Sequence, residues 1–101
     1  PTRRSSDLGF HPDFKMLILN DDQMMKVSID DWLPRLEEMK KANPKMWAGE
    51  TTYKWHLVDY HKYAAVIKME VHKNGEYFST DYMLLYNFDD GWKIVSKVYS
   101  I

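Results

Sequence analysis

The sequence predicts an α+β fold in which one helix precedes an antiparallel sheet. Apolar residues recur every three or four positions between Ser28 and Ala42, which is the spacing of an amphipathic helix. From Thr51 onward the apolar period changes to two, as is typical of half-buried strands. The dipeptide Asn74-Gly75 separates two such segments and is a strong signal for a two-residue hairpin turn.

Composition excludes several classes of protein. The chain has 101 residues, enough for one domain, and 45% of them are hydrophobic, so a core can form. The net charge of −1 argues against a nucleic-acid binder, which normally carries a basic stripe. Without cysteine there is no disulfide, thiolate nucleophile or cysteine-based metal site. No apolar run approaches the ~20 residues that a membrane helix needs, so we expect a soluble globular domain.

The first eight residues, 1–8, look like the in-frame translation of a sequencing-adapter oligonucleotide. They show no apolar periodicity and no signal-peptide core, and such segments are left out of fold prediction. The alternative is a genuine basic, flexible tail. We expect residues 9–101 to form a single domain that is truncated at its N-terminus. The compartment of the protein therefore cannot be predicted.

The first strand and the helix follow from local signals. Residues 14–20 are short and apolar and end at a turn, which predicts a strand. Ser28 can cap the helix of residues 28–42, but Pro34 would then lie in the helix interior and remove a hydrogen bond. A cap at Asp31 would instead place Pro34 in the first turn. The pair Asn43-Pro44 is expected to end the helix.

Four strands are predicted after the helix, at residues 51–58, 63–73, 76–88 and 92–100. The Asn74-Gly75 turn places Lys73 opposite Glu76. Continued without interruption, this register gives the pairs Val71–Phe78, Met69–Thr80, Ile67–Tyr82, Ala65–Leu84 and Tyr63–Tyr86. A three-residue loop at 89–91 then gives the pairs Phe88–Trp92, Tyr86–Ile94, Leu84–Ser96 and Tyr82–Val98. One face of this sheet is almost wholly apolar, which supports the register.

Several segments resemble the nuclear transport factor 2-like superfamily, and within it the family of small bacterial proteins called putative lumazine-binding. The matching segments are Phe10-His11-Pro12-Asp13, Ala64-Ala65, Asp81-Tyr82-Met83-Leu84-Leu85 and Asp90-Gly91-Trp92-Lys93-Ile94-Val95-Ser96-Lys97-Val98. The resemblance implies a cystatin-like, cone-shaped curved sheet wrapped around helices, with an apolar cavity on its concave side. It also implies that two leading helices, which close the mouth of the cone in the family, are absent here. Relatives include proton-transfer enzymes acting on small hydrophobic substrates as well as non-catalytic binding and dimerisation modules.

Aromatic residues with polar tips are the candidate ligand-binding side chains. The predicted register places Tyr63, Tyr82 and Tyr86 on the apolar face. Tyr53 and Trp55 join them because they belong to the more apolar side of their own strand. An apolar cavity with a few convergent polar groups is typical of a small-molecule site. Ordinary core packing, with hydroxyls reaching the rim, is the alternative.

Asp81 and His56 are the candidate catalytic groups. Asp81 is a carboxylate within an apolar strand, which suggests a general base. The predicted register instead places it on the outer face, paired with Lys68 or Lys97, although one bulge would reverse its face. His56 is expected to point outward, and a one-residue register shift would bring it into the cavity.

Neither a metal nor a cofactor is predicted. His56, Asp59 and His61 match no usual pattern of metal ligands, and the sequence has no Gly-rich phosphate loop or nucleophile elbow.

Two function classes remain. The first is a small-molecule-binding domain for a small hydrophobic ligand, with proton-transfer catalysis as an addition. The second is a non-enzymatic homodimerisation or protein-interaction module that uses the outer face, predicted to carry Val66, Met83, Leu85, Val95 and Tyr99 and to leave no ionisable group in the cavity.

Overall fold

Six strands and two helices form nearly all of residues 9–101, the part of the chain that this computed structural model describes. The elements are β1 (Phe10–Asn20), β2 (Gln23–Ser28), α1 (Ile29–Ala42), α2 (Pro44–Ala48), β3 (Thr51–His61), β4 (Ala64–Lys73), β5 (Glu76–Phe88) and β6 (Gly91–Ser100). They make one curved sheet of order β2-β1-β6-β5-β4-β3, parallel only between β1 and β6. The α+β prediction is confirmed. The prediction about residues 1–8 lies outside the described residues.

The first strand is longer than predicted, and a second strand follows it. Asp21 and Asp22 both adopt left-handed backbone conformations and form the tight turn between β1 and β2. Sequence analysis missed β2 because it is short and runs directly into the helix cap. Its Val27 joins Phe14 and Met16 of β1 in a buried apolar cluster that Ile29 of α1 completes.

Ser28, not Asp31, caps α1. The backbone N–H of Asp31 donates to Ser28 Oγ at 3.2 Å, and Pro34 lies inside the helix. The helix ends at Ala42 as predicted. Pro44 then begins the short helix α2, because a proline at the first helical position loses no hydrogen bond.

The hairpin between β4 and β5 starts as predicted and then changes register at a bulge. Lys73 opposes Glu76 across a turn in which Asn74 and Gly75 have φ values of 55° and 81°. Phe78 is an extra residue on β5, because the flanking pairs are His72–Tyr77 and Val71–Ser79. The predicted pairs from Val71–Phe78 to Tyr63–Tyr86 are therefore wrong.

The hairpin between β5 and β6 compensates for part of this change. Its loop has two residues instead of three, since Phe88 opposes Gly91, and a second bulge lies at Val95. The predicted Leu84–Ser96 and Tyr82–Val98 pairs are consequently confirmed, whereas Tyr86–Ile94 and Phe88–Trp92 are wrong.

We call the sheet face toward α1 the concave face and the opposite one the convex face. The concave face carries Asp81, Met83, Lys97 and Tyr99, and the convex face carries Tyr82, Leu84, Tyr86 and Val98.

Candidate functional site

A cavity of about 580 Å³ lies between the helices and the concave face of the sheet. Its walls are mainly apolar. Residues Trp32, Leu33, Leu36 and Met39 of α1 line one side, and Met69, Val71, Met83 and Ile94 line the other. The polar side chains among its lining residues include Thr51, Lys73, Ser79, Asp81 and Lys97.

Two of the predicted ligand-binding residues line this cavity. Tyr53 and Trp55 lie on the edge strand β3, opposite Val71 and Met69. They are 54% and 58% exposed, so they form an open aromatic rim. Their contact with a ligand remains a prediction.

The other three predicted tyrosines do not line the cavity. The bulge at Phe78 turns Tyr82 and Tyr86 to the convex face, where they are 40% and 53% exposed. Tyr63 lies in the turn between β3 and β4 and is 69% exposed. The sequence could not show this, because a single inserted residue reverses every side chain beyond it.

Asp81 lies in the cavity wall and is almost fully buried at 3% exposure. Ser79 Oγ donates a hydrogen bond to Asp81 Oδ1 at 2.8 Å, and Lys97 Nζ lies 2.9 Å from Asp81 Oδ2. The predicted outward orientation is wrong, while the predicted pairing with Lys97 is confirmed. Neither interpretation made in the sequence analysis anticipated an ion pair on the concave face. Residues Met83 and Tyr99, predicted for the outer face, also line the cavity.

Lys73 is a buried cation that the sequence analysis did not identify. It is 8% exposed, and its Nζ donates to Thr51 Oγ1 at 3.2 Å. The same nitrogen lies 3.8 Å from the centre of the Trp47 ring and 5.2 Å from that of Phe78. Burial lowers the pKa of the Lys73 ammonium, and the charge of Lys40 lowers it further. Alternation along the strand could have identified it: Lys73 lies two residues after Val71 and four after Met69, so all three side chains share one face of the strand.

His56 does not enter the cavity. A bulge in β3, between the Trp55–Met69 and Leu57–Lys68 pairs, leaves His56 beside the convex face. There its Nε2 hydrogen-bonds Glu70 Oε2, and Nε2 of His72 lies 3.1 Å from Glu70 Oε1. Hydrogen bonds from His56 and then His72 lower the pKa of the Glu70 carboxyl. Within residues 9–101 no group of three His, Asp or Glu side chains is arranged to hold a metal ion.

Solved structures with this fold are similar in architecture. A protein described as NTF-2 like and of unknown function from Silicibacter pomeroyi superposes with a TM-score of 0.73 at 19% identity, covering 94% of this chain and 75% of that one. An NTF2-like protein of unknown function from Shewanella baltica gives 0.68 at 16% identity, with 92% and 72% covered. A structure from Shewanella frigidimarina described as a "putative ketosteroid isomerase" gives 0.62 at 17% identity, with 92% and 76% covered. At these identities the likeness shows the fold, which is NTF2-like.

The family follows from the sequence match. Residues 2–100 match the family described as "Putative lumazine-binding", and the chain belongs to that family. The resemblance stated from the sequence is thereby confirmed. No curated protein matches this chain. None of the helices in residues 9–101 is long and apolar enough to cross a membrane.

Proposed function

We propose that this chain is a small-molecule-binding domain whose ligand occupies the cavity between α1 and the concave face. The cavity itself carries the proposal, because about 580 Å³ lies within the ~300–1,000 Å³ of typical ligand sites. Its apolar walls with a few polar groups also have the composition of such sites. The family description, and the description of the S. frigidimarina structure, support a small-molecule ligand.

The binding proposal is tested by titration with a neutral fluorescent probe, N-phenyl-1-naphthylamine. We expect Trp55→Ala to weaken binding about tenfold, because an aromatic contact with a ligand is lost. Trp92→Ala is the matched control, since Trp92 is 39% exposed and is not among the cavity-lining residues. Failure of the unmodified chain to bind, or equal affinities for the two variants, would contradict the proposal.

Proton transfer by Asp81 is the finer part of the proposal. The Asp81 carboxylate, which lies beside the Lys97 ammonium, can accept a proton from carbon beside a ligand carbonyl and return it at another position. A suitable probe is 5-androstene-3,17-dione, whose double bond moves into conjugation in that way. We expect Asp81→Asn to lower the isomerisation rate at least ~100-fold while dye binding persists. Asp59→Asn, at an exposed strand position, should leave the rate unchanged. No isomerisation by the unmodified chain would contradict catalysis of this reaction and leave binding intact.

The second candidate function is homodimerisation through the convex face, with residues other than those predicted, because Met83 and Tyr99 line the cavity. The expectation that this function leaves no ionisable group in the cavity is wrong, since Asp81 lies in its wall. Four neighbouring apolar side chains are exposed there: Tyr82, Leu84, Tyr86 and Val98. Contiguous exposed apolar surface is typical of protein interfaces. Leu84→Lys should convert a dimer to a monomer in light scattering coupled to gel filtration. Val58→Lys is the control, because Val58 is also exposed but lies opposite Ile67 and thus belongs to the other face. A monomeric unmodified chain would contradict this function.

A further inference from the structure

The charges that line the cavity do not cancel. Three charged side chains contribute to its wall, namely Lys73, Asp81 and Lys97. Asp81 and Lys97 neutralise each other at 2.9 Å. No carboxylate within residues 9–101 forms an ion pair with Lys73, whose hydrogen-bond partner is the neutral hydroxyl of Thr51. Among the charged side chains of its wall, Lys73 is therefore the one without a partner of opposite charge within residues 9–101.

The surroundings of Lys73 stabilise its charge only in part. The faces of Trp47 and Phe78 attract a cation, but less strongly than a carboxylate would. The indole N–H of Trp47 is itself buried and has no hydrogen-bond acceptor among the described residues. An unpaired ammonium and an unsatisfied N–H thus lie on two groups that contact each other. Both are donors, and both would be satisfied by acceptor oxygens.

The register around Lys73 places an apolar surface next to this cation. Val71 and Met69 follow Lys73 on the same strand face, at about 7 Å per two residues. Tyr53 lies opposite Val71 and Trp55 lies opposite Met69. A molecule with an acid group at Lys73 would therefore extend its apolar body along the sheet toward the aromatic rim.

We propose that Lys73 anchors the acid group of the cavity's ligand, so that the ligand class is a small organic monoacid with an apolar or aromatic body. This inference rests on the proposed binding function. A monoanion fits better than a phosphate dianion, because Lys73 is, within residues 9–101, the one cavity-lining cation that has no carboxylate partner. Lowering of the Lys73 pKa by burial is consistent with a charge that lacks its partner in the free chain.

Two dyes with the same aromatic skeleton test the inference. 8-Anilinonaphthalene-1-sulfonate carries one acid group, and N-phenyl-1-naphthylamine lacks it. We expect Lys73→Met to weaken binding of the anionic dye at least ~10-fold, because a charge-assisted contact is lost. Binding of the neutral dye should change less than about twofold. Lys26→Met, at an exposed position of β2, is the matched control and should change neither affinity.

The outcomes distinguish the acid-binding role of Lys73 from ligand binding by the cavity as a whole. Selective loss of the anionic dye in Lys73→Met supports it. Equal weakening of both dyes, or anionic-dye binding within about twofold of the unmodified chain, overturns it while the cavity still binds. If the unmodified chain bound neither dye, the binding function would fail and the inference with it. A thermal melt of each variant checks folding, and Lys73→Gln replaces Lys73→Met if the latter does not fold.

Discussion

Lys97 is the ion-pair partner of Asp81. With the Asp81 carboxylate almost fully buried, loss of the ammonium at 2.9 Å would leave an uncompensated charge in an apolar wall. We expect Lys97→Met to lower the free energy of unfolding by about 3 kcal/mol, because the buried Asp81 carboxylate would then lack its partner. The double variant Asp81→Asn with Lys97→Met should recover part of that loss. Urea denaturation at pH 7 measures both.

The control for this prediction is an exposed pair. Lys40 Nζ lies 3.8 Å from Glu37 Oε1 on the solvent side of α1. We expect Glu37→Gln to change stability by less than ~0.5 kcal/mol, because exposed ion pairs contribute little. A similarly small effect of Lys97→Met would contradict the expectation that loss of the ammonium leaves a buried carboxylate without a partner.

Glu70 links stability to pH on the convex face. Its pKa is lowered in the folded chain by hydrogen bonds from His56 and His72, so the unfolded chain binds more protons at acid pH. The contribution of Glu70 is therefore complete above the ordinary glutamate pKa of about 4.3 and is lost as the pH falls through the lower folded value. We expect the stability difference between the unmodified chain and Glu70→Gln to shrink below that pH in urea titrations. A stability difference for Glu70→Gln that does not vary with pH would refute the linkage.

At the scale of the elements, the strands could be predicted but their faces could not. Alternation placed four strands correctly within a few residues, and Asn74-Gly75 fixed the pairing of Lys73 with Glu76. The bulge at Phe78 has no signature in the sequence, because an apolar residue fits either a regular or a bulged strand. It alone moves Asp81 into the cavity and Tyr82 out of it.

The candidate site was predictable only where no bulge intervened. Tyr53 and Trp55 precede the β3 bulge and pair with regular β4 positions, so alternation placed them correctly in the cavity wall. Lys73 was equally accessible to that argument, yet a lysine at the end of a strand is normally solvated. Its burial depends on the approach of Trp47 from α2, a helix that Pro44 begins and that the sequence analysis did not predict.

Pro34 shows how a strong cap outweighs a poor helix residue. The cap at Ser28 starts α1 six residues before Pro34, so the interior of the helix lacks one hydrogen bond. Pro34→Ala should stabilise the helix by up to ~3 kcal/mol. It should also cost about 1 kcal/mol of folding free energy, because the unfolded chain has more conformational entropy without the proline. We expect a net gain of about 2 kcal/mol in urea denaturation. Arg35→Ala, the neighbouring exposed position, should stay within ~0.5 kcal/mol, and no gain for Pro34→Ala would indicate that a bend at this point is required.

At the scale of the whole molecule, the apolar core and the cavity share one interior. The buried cluster of Phe14, Met16, Val27 and Ile29 lies where α1 packs on β1 and β2. Toward β3 the concave face instead opens into the cavity. A ligand in the cavity would fill the part of the interior that the chain's own side chains leave open. Binding is therefore coupled to the stability of the fold.

This coupling predicts a ligand-dependent melting temperature. With N-phenyl-1-naphthylamine at about ten times its Kd, mass action adds about 1.4 kcal/mol to the free energy of unfolding. For a chain of this size that raises Tm by about 6 °C. At the same dye concentration the tenfold weaker Trp55→Ala variant should gain about 0.4 kcal/mol, or roughly 2 °C, and Trp92→Ala the full shift. Calorimetry distinguishes these values. A dye that binds without changing Tm must bind the folded and the unfolded chain equally well. That outcome would mean that its site is not the folded cavity.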